Sequence, residues 1–274
     1  MAVTMADIAH LRKMSGAGMM DCKSALEEAG SDFDQAMEII RKKGQAVAAK
    51  RSDREASEGC VLAADKGDFA AIVALKCETD FVAKNADFIA LTQSFLDAAM
   101  QHKPASLDAL LSLPLGDGRS IENHITDRIG VTGEKMELGF YEFVKGAATV
   151  SYIHSGNKLA SIVAFNQPLD RQAARDIAMQ VAAMNPVSIT PDEVPQKVID
   201  LELDVARDKA RQAGKPENML DKISQGALQK FFKDSTLLQQ EFIKDSKITV
   251  LQYLQKQDKE LITTAFKRVT LNME

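Results

Sequence analysis

The residues best suited to chemistry are two carboxylates, four histidines and three cysteines, and their spacing limits what they could do. Glu78 and Asp80 flank Thr79, a spacing that acid–base pairs share with many unrelated surfaces. Neither the histidines nor the cysteines follow the paired spacing of a metal site or a disulfide framework. They are His10, His102, His124 and His154, and Cys22, Cys60 and Cys77. We therefore predict no enzyme activity, no metal site, no cofactor and a reducing compartment, with an enzyme that pairs Glu78 or Asp80 with His154 as the alternative.

The stretch CETDFVAKN places an apolar pair, Phe81 and Val82, among polar residues. A strand continuing from Phe69 or a helix beginning at Thr79 could each bury Phe81. The polar neighbours favour an exposed loop directed at a partner, because binding groups concentrate on loops held by a rigid scaffold. These neighbours are Thr79, Asp80, Lys84 and Asn85.

A second candidate binding feature is the methionine pair Met19 and Met20, which follows the glycine-rich break from Ser15 to Gly18. Adjacent residues cannot both face one small core, so at least one methionine should be exposed in a loop between helices. Exposed methionine provides an adaptable binding surface. On the residues alone, an interface and a core packing role are equally open.

The overall composition argues against several classes of partner. Thirty-four basic and 39 acidic residues give a net charge of -5, and the chain has no Trp and only three Tyr, which disfavours nucleic-acid binding. No apolar window approaches the length of a membrane span, and the N-terminus lacks the pattern of a signal peptide. We expect a cytoplasmic, unprocessed globular protein with no membrane partner and no direct nucleic-acid partner.

The first 44 residues predict a compact module of three helices. Thr4 and Asp7 form the pattern of a capping box, and Asp21 is predicted to be the N-cap of the second helix. The third helix is predicted to end at Gly44. Residues 45–58 lack a sustained apolar face and indicate a linker or an exposed helical connector.

From Gly59 the pattern changes to a β-hairpin followed by a helix, and this order recurs. The strands AIVAL (71–75) and SIVAF (161–165) correspond, as do the helix ends AAM at 98–100 and 182–184. The two helix ends are separated by fewer residues along the chain than the two strands are. The first copy therefore has extra residues between its strand and its helix, where TDFVAK lies. Chance similarity of short apolar strings is the alternative to this duplication.

These patterns together predict an α+β fold with a duplicated ββα-type core of antiparallel sheets. Its first part spans 59–149, with helices and loops over 104–131 and an added strand over 136–143. Its second part spans 150–190 and 246–274, which ends in a helix and a strand that could join the second sheet. Heptad-like apolar spacing within 191–245 predicts an inserted antiparallel helical hairpin resembling a coiled coil. A homodimer through this hairpin is left open.

Two motifs occur together: LRKMSGAGMMDCKSALEEAGSDFDQAMEIIRKKG, followed by TDFVAKN. In both, and across essentially the whole chain, the sequence resembles bacterial elongation factor Ts. The resemblance implies a UBA-like N-terminal module and a guanine nucleotide exchange factor. Such a factor binds elongation factor Tu·GDP, displaces Mg²⁺ and promotes GDP release during translation elongation. A module that binds another helical or ubiquitin-like partner through residues 1–44 is the competing hypothesis.

The same resemblance implies roles for individual residues. Arg12, Met19 and Met20 match contacts to the nucleotide domain of elongation factor Tu, and His154 matches a contact to the C-terminal part of that partner. Thr79, Asp80, Phe81 and Val82 match the segment that dislocates Mg²⁺ from the partner, with Lys84 and Asn85 supporting it. Many family members continue with a further helix, so a contact made by that helix is not carried over. Residues 113–132 carry no family signature.

Overall fold

The computed structural model describes residues 3–272, and the described part begins with three helices. They are α1 (Met5–Ser15), α2 (Met19–Glu28) and α3 (Phe33–Arg51). The predicted capping box is confirmed, because the side chains of Thr4 and Asp7 each accept a hydrogen bond from the other residue's backbone N–H. All three helices contribute apolar side chains to one small core. Among its buried members are Ile8, Leu11, Cys22, Leu26 and Ala36.

The second helix starts earlier than the sequence indicates. α2 begins at Met19 with Gly18 as its N-cap, and Asp21 lies in the first turn rather than at the cap. A carboxylate in the first turn interacts favourably with the helix dipole, which accounts for Asp21 at this position. Met19 and Met20 therefore belong to a helix and not to a loop between helices.

A first sheet of three strands follows, in the order β1-β2-β3. Its strands are β1 (Glu58–Lys66), β2 (Phe69–Cys77) and β3 (Met136–Lys145). Between β2 and β3 lie the short helix α4 (Asp80–Ala83), α5 (Ala86–His102), α6 (Leu107–Leu111) and α7 (Ile121–Thr132). Almost every residue of β2 is buried, as its continuous apolar run predicts. The predicted hairpin, the helix after it and the added strand are all present.

The prediction that Gly44 ends the third helix was wrong, because α3 continues to Arg51. Gly44 is buried and packs against Gly130 of α7. A Cβ added at Gly130 would stand 2.6 Å from the Cα of Gly44, closer than real Cβ atoms approach. The glycine thus permits two helix backbones to meet rather than terminating one of them.

A second sheet forms from the other half of the chain, in the order β4-β5-β8. β4 (Ala148–Ile153) and β5 (Leu159–Phe165) are antiparallel, with Ala148 opposite Phe165, and α8 (Arg171–Met184) follows them. The last strand, β8 (Thr263–Thr270), joins this sheet as predicted. A mixed fold of helices and antiparallel sheets is thereby confirmed, whereas the UBA-like character and the duplication remain predictions.

The predicted helical hairpin is present as α9 (Gln196–Gln212) and α10 (Glu217–Ser235), preceded by a 3-10 turn at Pro191–Glu193. Gly214, between the two helices, has the left-handed backbone that such a turn requires, with φ of 70°. After α10 come two strands that the sequence did not indicate, β6 (Glu241–Phe242) and β7 (Asp245–Thr249), and then α11 (Val250–Gln255). Leu237, Leu238 and Phe242 belong to the core of the second sheet.

The chain divides into two compact units. One contains the described residues up to Leu62, Val73–Tyr141 and the residues from Thr270; the other contains Ala63–Ile72 and Glu142–Val269. The largest buried side chains of the first unit include Phe88, Phe95 and Leu96 of α5. Within residues 3–272, no helix is both long and apolar enough to cross a membrane.

Candidate functional site

The TDFV segment forms a one-turn helix, α4, immediately after β2. Thr79 is its N-cap and accepts a hydrogen bond from the Val82 N–H through its side-chain oxygen at 3.4 Å. Phe81 projects from this turn with 84% of its surface exposed, while Ala83 is buried beneath it. The prediction that Phe81 is exposed is confirmed, although it lies on a helical turn rather than in an irregular loop.

The base of α4 is fixed to the connection between α7 and β3 by two glutamates. The Thr79 N–H donates to Glu134 Oε2 at 3.1 Å, and the Thr79 hydroxyl donates to Glu134 Oε1 at 2.6 Å. In the opposite direction, Glu78 Oε1 accepts from the backbone N–H of Lys135 at 2.7 Å. Each segment thus contributes a carboxylate that binds the other segment's backbone. We refer to Glu78 and Glu134 with these contacts as the glutamate latch.

Further charges hold Glu78 in place. Arg54 donates to its Oε2 at 3.0 Å and Arg51, at the end of α3, to its Oε1 at 3.5 Å. The Lys135 hydrogen bond, with the nearby arginines, lowers the pKa of Glu78 below its ordinary value of 4.5. This carboxylate is therefore ionised at neutral pH and committed to structural contacts, which disfavours its use as a general acid or base.

The polar residues around Phe81 stabilise the turn and the helix after it. Lys84 Nζ donates to Asp80 Oδ2 at 2.6 Å across one helical turn, and this hydrogen bond raises the pKa of Lys84. Asn85 is the N-cap of α5, since its Oδ1 accepts from the Asp87 N–H at 2.8 Å. Lys84 and Asn85 thus make local hydrogen bonds beside Phe81, and their role in supporting the motif stays a prediction.

Cys77 lies directly below the turn. Its thiol donates to the carbonyl of Thr79 at 3.2 Å, and burial raises the pKa of this thiol to about 12. A buried, protonated thiol is unreactive, because the thiolate is the nucleophile. Cys77 therefore contributes a hydrogen bond and packing to the support of α4.

On the N-terminal helices, Arg12 and Met19 line one shallow groove, together with Met5, Ala9 and Lys13. Met5 is 65% exposed, Met19 45% and Met20 71%. The question that the sequence left open is answered in favour of exposure for both members of the methionine pair. An exposed apolar surface with a cationic margin is typical of a protein contact.

His154 follows the last residue of β4 and is exposed at the turn before β5. Its backbone N–H donates to the Leu159 carbonyl at 2.8 Å, and its Nδ1 lies 3.0 Å from the Tyr152 hydroxyl. The imidazole therefore has a hydrogen-bonding neighbour, Tyr152, on β4.

Two contributors to the site were missed by sequence reasoning. Glu134 lies far from Thr79 along the chain, and no local pattern joins them; the only signal is Gly133, whose left-handed backbone ends α7 just before it. Met5 resembles an ordinary first-turn residue. Among residues 3–272, no group of three His, Cys, Asp or Glu side chains is arranged to hold a metal ion.

Comparison with known proteins gives a consistent result along the chain. The family model for Elongation factor TS matches residues 78–272. Elongation factor Ts of Porphyromonas gingivalis is 69% identical over 274 residues, and that of Azobacteroides pseudotrichonymphae is 53% identical over 275, in both cases across the full length of both chains. The protein of the same name from Phocaeicola vulgatus is 48% identical over 331 aligned positions, again covering both chains completely. The chain belongs to the elongation factor Ts family.

Proposed function

We propose that this protein is the guanine nucleotide exchange factor for the GTPase elongation factor Tu. In this proposal it binds the GDP-bound GTPase in the cytoplasm, displaces Mg²⁺ from the partner's nucleotide site and promotes GDP release during translation elongation. The factor itself carries out no bond-making chemistry. Family membership supports the proposal, and the observation that carries it is Phe81, exposed at the tip of a fixed helical turn.

The mechanism follows from how a GTPase holds its nucleotide. Mg²⁺ bridges phosphate oxygens and protein side chains, so displacing the elements that bind the ion weakens nucleotide binding. In our proposal, Asp80 and Phe81 enter between helices of the partner and Thr79 and Val82 flank them. Phe81 stabilises the displaced conformation by its own burial, which is worth roughly 1.5–3 kcal/mol for such a side chain.

The fixed geometry of α4 contributes to this effect. A flexible segment would lose conformational entropy on docking, at roughly 0.5–1.5 kcal/mol for each immobilised side chain. Here Thr79 is bound to Glu134, and Asp80 is bound to Lys84, before any partner arrives. More of the burial free energy of Phe81 is then available to move the partner's elements.

The remaining surfaces provide affinity away from the metal. We assign Arg12, Met19 and Met20 to contact with the nucleotide domain of elongation factor Tu, and His154 to contact with the C-terminal part of that GTPase. Linkage is reciprocal. If this protein lowers the affinity of the GTPase for nucleotide, nucleotide lowers the affinity of the GTPase for this protein by the same ratio. Binding of a new nucleotide therefore releases the protein for another cycle.

The proposal is tested by mixing the protein with elongation factor Tu loaded with a fluorescent GDP and excess unlabelled GDP. We expect release to accelerate with increasing concentration of the protein and to reach a plateau. The same experiment with excess EDTA removes Mg²⁺ directly, and the stimulation by the protein should then become much smaller. Unchanged release across a concentration range in which the two proteins form a complex would overturn the proposed function.

A further inference from the structure

The support of α4 consists of two reciprocal contacts. Glu78 precedes the turn and binds the Lys135 N–H, while Glu134 precedes Lys135 and binds the Thr79 N–H. Both backbone groups would otherwise lack a partner within their own element, since each lies at the boundary of a strand or helix. The glutamate latch therefore joins the beginning of α4 to the beginning of β3.

A one-turn helix needs this kind of external support. Helix nucleation is unfavourable, and α4 has too few residues to be stable alone. Of its side chains only Ala83 is buried, so apolar packing of α4 itself is limited. The direction in which Phe81 points must therefore be determined largely by the hydrogen bonds at Thr79.

The contact between Glu134 and Thr79 also orients the hydroxyl. Because that hydroxyl donates its proton to Glu134, a lone pair on the same oxygen remains to accept the Val82 N–H. Glu134 itself is held by the end of α7, since its N–H donates to Thr132 Oγ1 at 3.3 Å. One carboxylate thus fixes both the backbone and the capping side chain of α4.

We propose that Glu134 is a positioning residue for nucleotide exchange, which holds α4 in the orientation in which Phe81 can dock. This inference rests on the proposed function. Glu134 acts through Thr79 and makes no contact with the partner. Its contribution is to keep the docking-competent orientation dominant in the free protein.

The proposal has a specific kinetic signature. When only a fraction of the protein is competent, its apparent dissociation constant rises in inverse proportion to that fraction. Once α4 has docked, however, Phe81 displaces the partner's elements as before. Loss of Glu134 should therefore raise the concentration of the protein that gives half-maximal stimulation and leave the maximal rate of GDP release unchanged.

The test compares Glu134→Gln with Glu137→Gln. Glutamine keeps the size of the side chain but has one acceptor oxygen in place of two and no charge. Glu137, three residues further along the chain at the start of β3, is a matched control, because its ion pairs are with Lys76 at 2.9 Å and Lys135 at 3.6 Å rather than with a residue of α4. Thr79→Val, which removes the hydroxyl, serves as a second variant. Its effect and that of Glu134→Gln should be less than additive in the double variant.

The first measurement uses the free protein alone and follows amide hydrogen exchange at Thr79, Ala83 and Lys84. A hydrogen bond to a charged group protects such amides substantially, so we expect Glu134→Gln to accelerate their exchange by about tenfold or more. Amides of α8 should be unaffected. The second measurement determines the half-maximal concentration for GDP release, which should rise by about tenfold if one in ten molecules remains competent.

The outcomes separate this inference from the proposed function. Faster amide exchange at α4, with an increased half-maximal concentration and an unchanged plateau, supports the positioning role. Unchanged amide exchange, or a reduced plateau at an unchanged half-maximal concentration, overturns it while leaving the exchange function intact. If the unsubstituted protein does not stimulate GDP release, the proposed function fails, and the hydrogen-exchange result still decides whether Glu134 holds α4.

Discussion

Phe81→Ala separates an effect on docking from an effect on folding. The side chain is 84% exposed in the free protein, so its removal leaves no cavity and deprives no buried group of a partner. Exposed substitutions of this kind usually change the free energy of unfolding by no more than about 0.5 kcal/mol. If the variant loses exchange activity while its free energy of unfolding is nearly unchanged, the loss must come from contacts that Phe81 makes in the complex.

The size of the loss follows from the area available for burial. Nearly the whole Phe81 side chain can be transferred from water into the partner, a transfer worth roughly 1.5–3 kcal/mol. Since every 1.4 kcal/mol corresponds to about a tenfold change, the second-order rate constant for stimulated GDP release should fall by roughly 10- to 100-fold. Phe81→Leu retains much of the apolar volume and should lose less.

The assay is stopped-flow release of fluorescent GDP from elongation factor Tu at several concentrations of each variant. Phe140→Ala provides the control, because Phe140 is also an exposed phenylalanine, at 39%, but belongs to β3 and not to the TDFV segment. Thermal unfolding of each variant establishes that the fold is intact. The control should release GDP at the rate of the unsubstituted protein.

Three results would refute the reasoning. If Phe81→Ala stimulates GDP release normally while unfolding normally, apolar insertion at this position does not drive exchange. If Phe140→Ala loses as much activity as Phe81→Ala, the effect is not specific to α4. A fall in activity accompanied by a large fall in unfolding temperature would contradict the claim that Phe81 is uninvolved in folding.

Four further substitutions have defined outcomes. Gly130→Ala should lower the free energy of unfolding by about 1–3 kcal/mol in urea titration, because its Cβ would meet Gly44 at 2.6 Å, whereas Gly226→Ala in α10 meets nothing within 4 Å and should be stabilising by about 0.5–1 kcal/mol. The lowered pKa of Glu78 means that its stabilising contribution is complete above pH 4.5 and is lost as pH falls further, so Glu78→Gln should flatten the acid side of the stability profile. Met20→Ala should leave unfolding unchanged, since Met20 is 71% exposed, but should weaken complex formation by about tenfold in titration calorimetry.

Much of the architecture could be predicted because the pattern of each element agrees with its final environment. The apolar run of β2 becomes a buried central strand, and the helix end predicted at 182–184 is the end of α8. The predicted helical hairpin is present as α9 and α10, with Gly214 in the turn between them. In these cases, local preference and tertiary packing favour the same structure.

The failures occur where a residue's role depends on a distant part of the chain. Gly44 has the character of a helix end, yet its function is to admit Gly130 of α7. Strands β6 and β7 are short, and their residues carry no alternation long enough to identify them. A helix-breaking residue inside a helix is therefore explained by what packs against it, which a single sequence does not specify.

At the candidate site, too, local features could be predicted from the sequence and contacts between distant segments could not. The resemblance identified Thr79–Val82, and the polar neighbours correctly indicated that Phe81 would be exposed. The sequence did not indicate that Glu134 holds the turn, because hydrogen bonds between segments so far apart leave no periodic signal. The exposure of Phe81 could be predicted from the sequence, but the contacts of Glu134 that fix its orientation could not.

A single exposed phenylalanine on a fixed turn also satisfies a constraint that a larger contact would violate. An exchange factor must stabilise the nucleotide-free GTPase, yet it must yield to the next nucleotide, since the coupling between the two ligands is mutual. A larger apolar insertion at the partner's metal site would add to the affinity for the empty GTPase and oppose its displacement by nucleotide. Because the latch orients Phe81 in advance, little free energy is lost on ordering α4, and a modest burial is sufficient. Loosening the latch would have to be compensated by a larger apolar contact, and that contact would slow release.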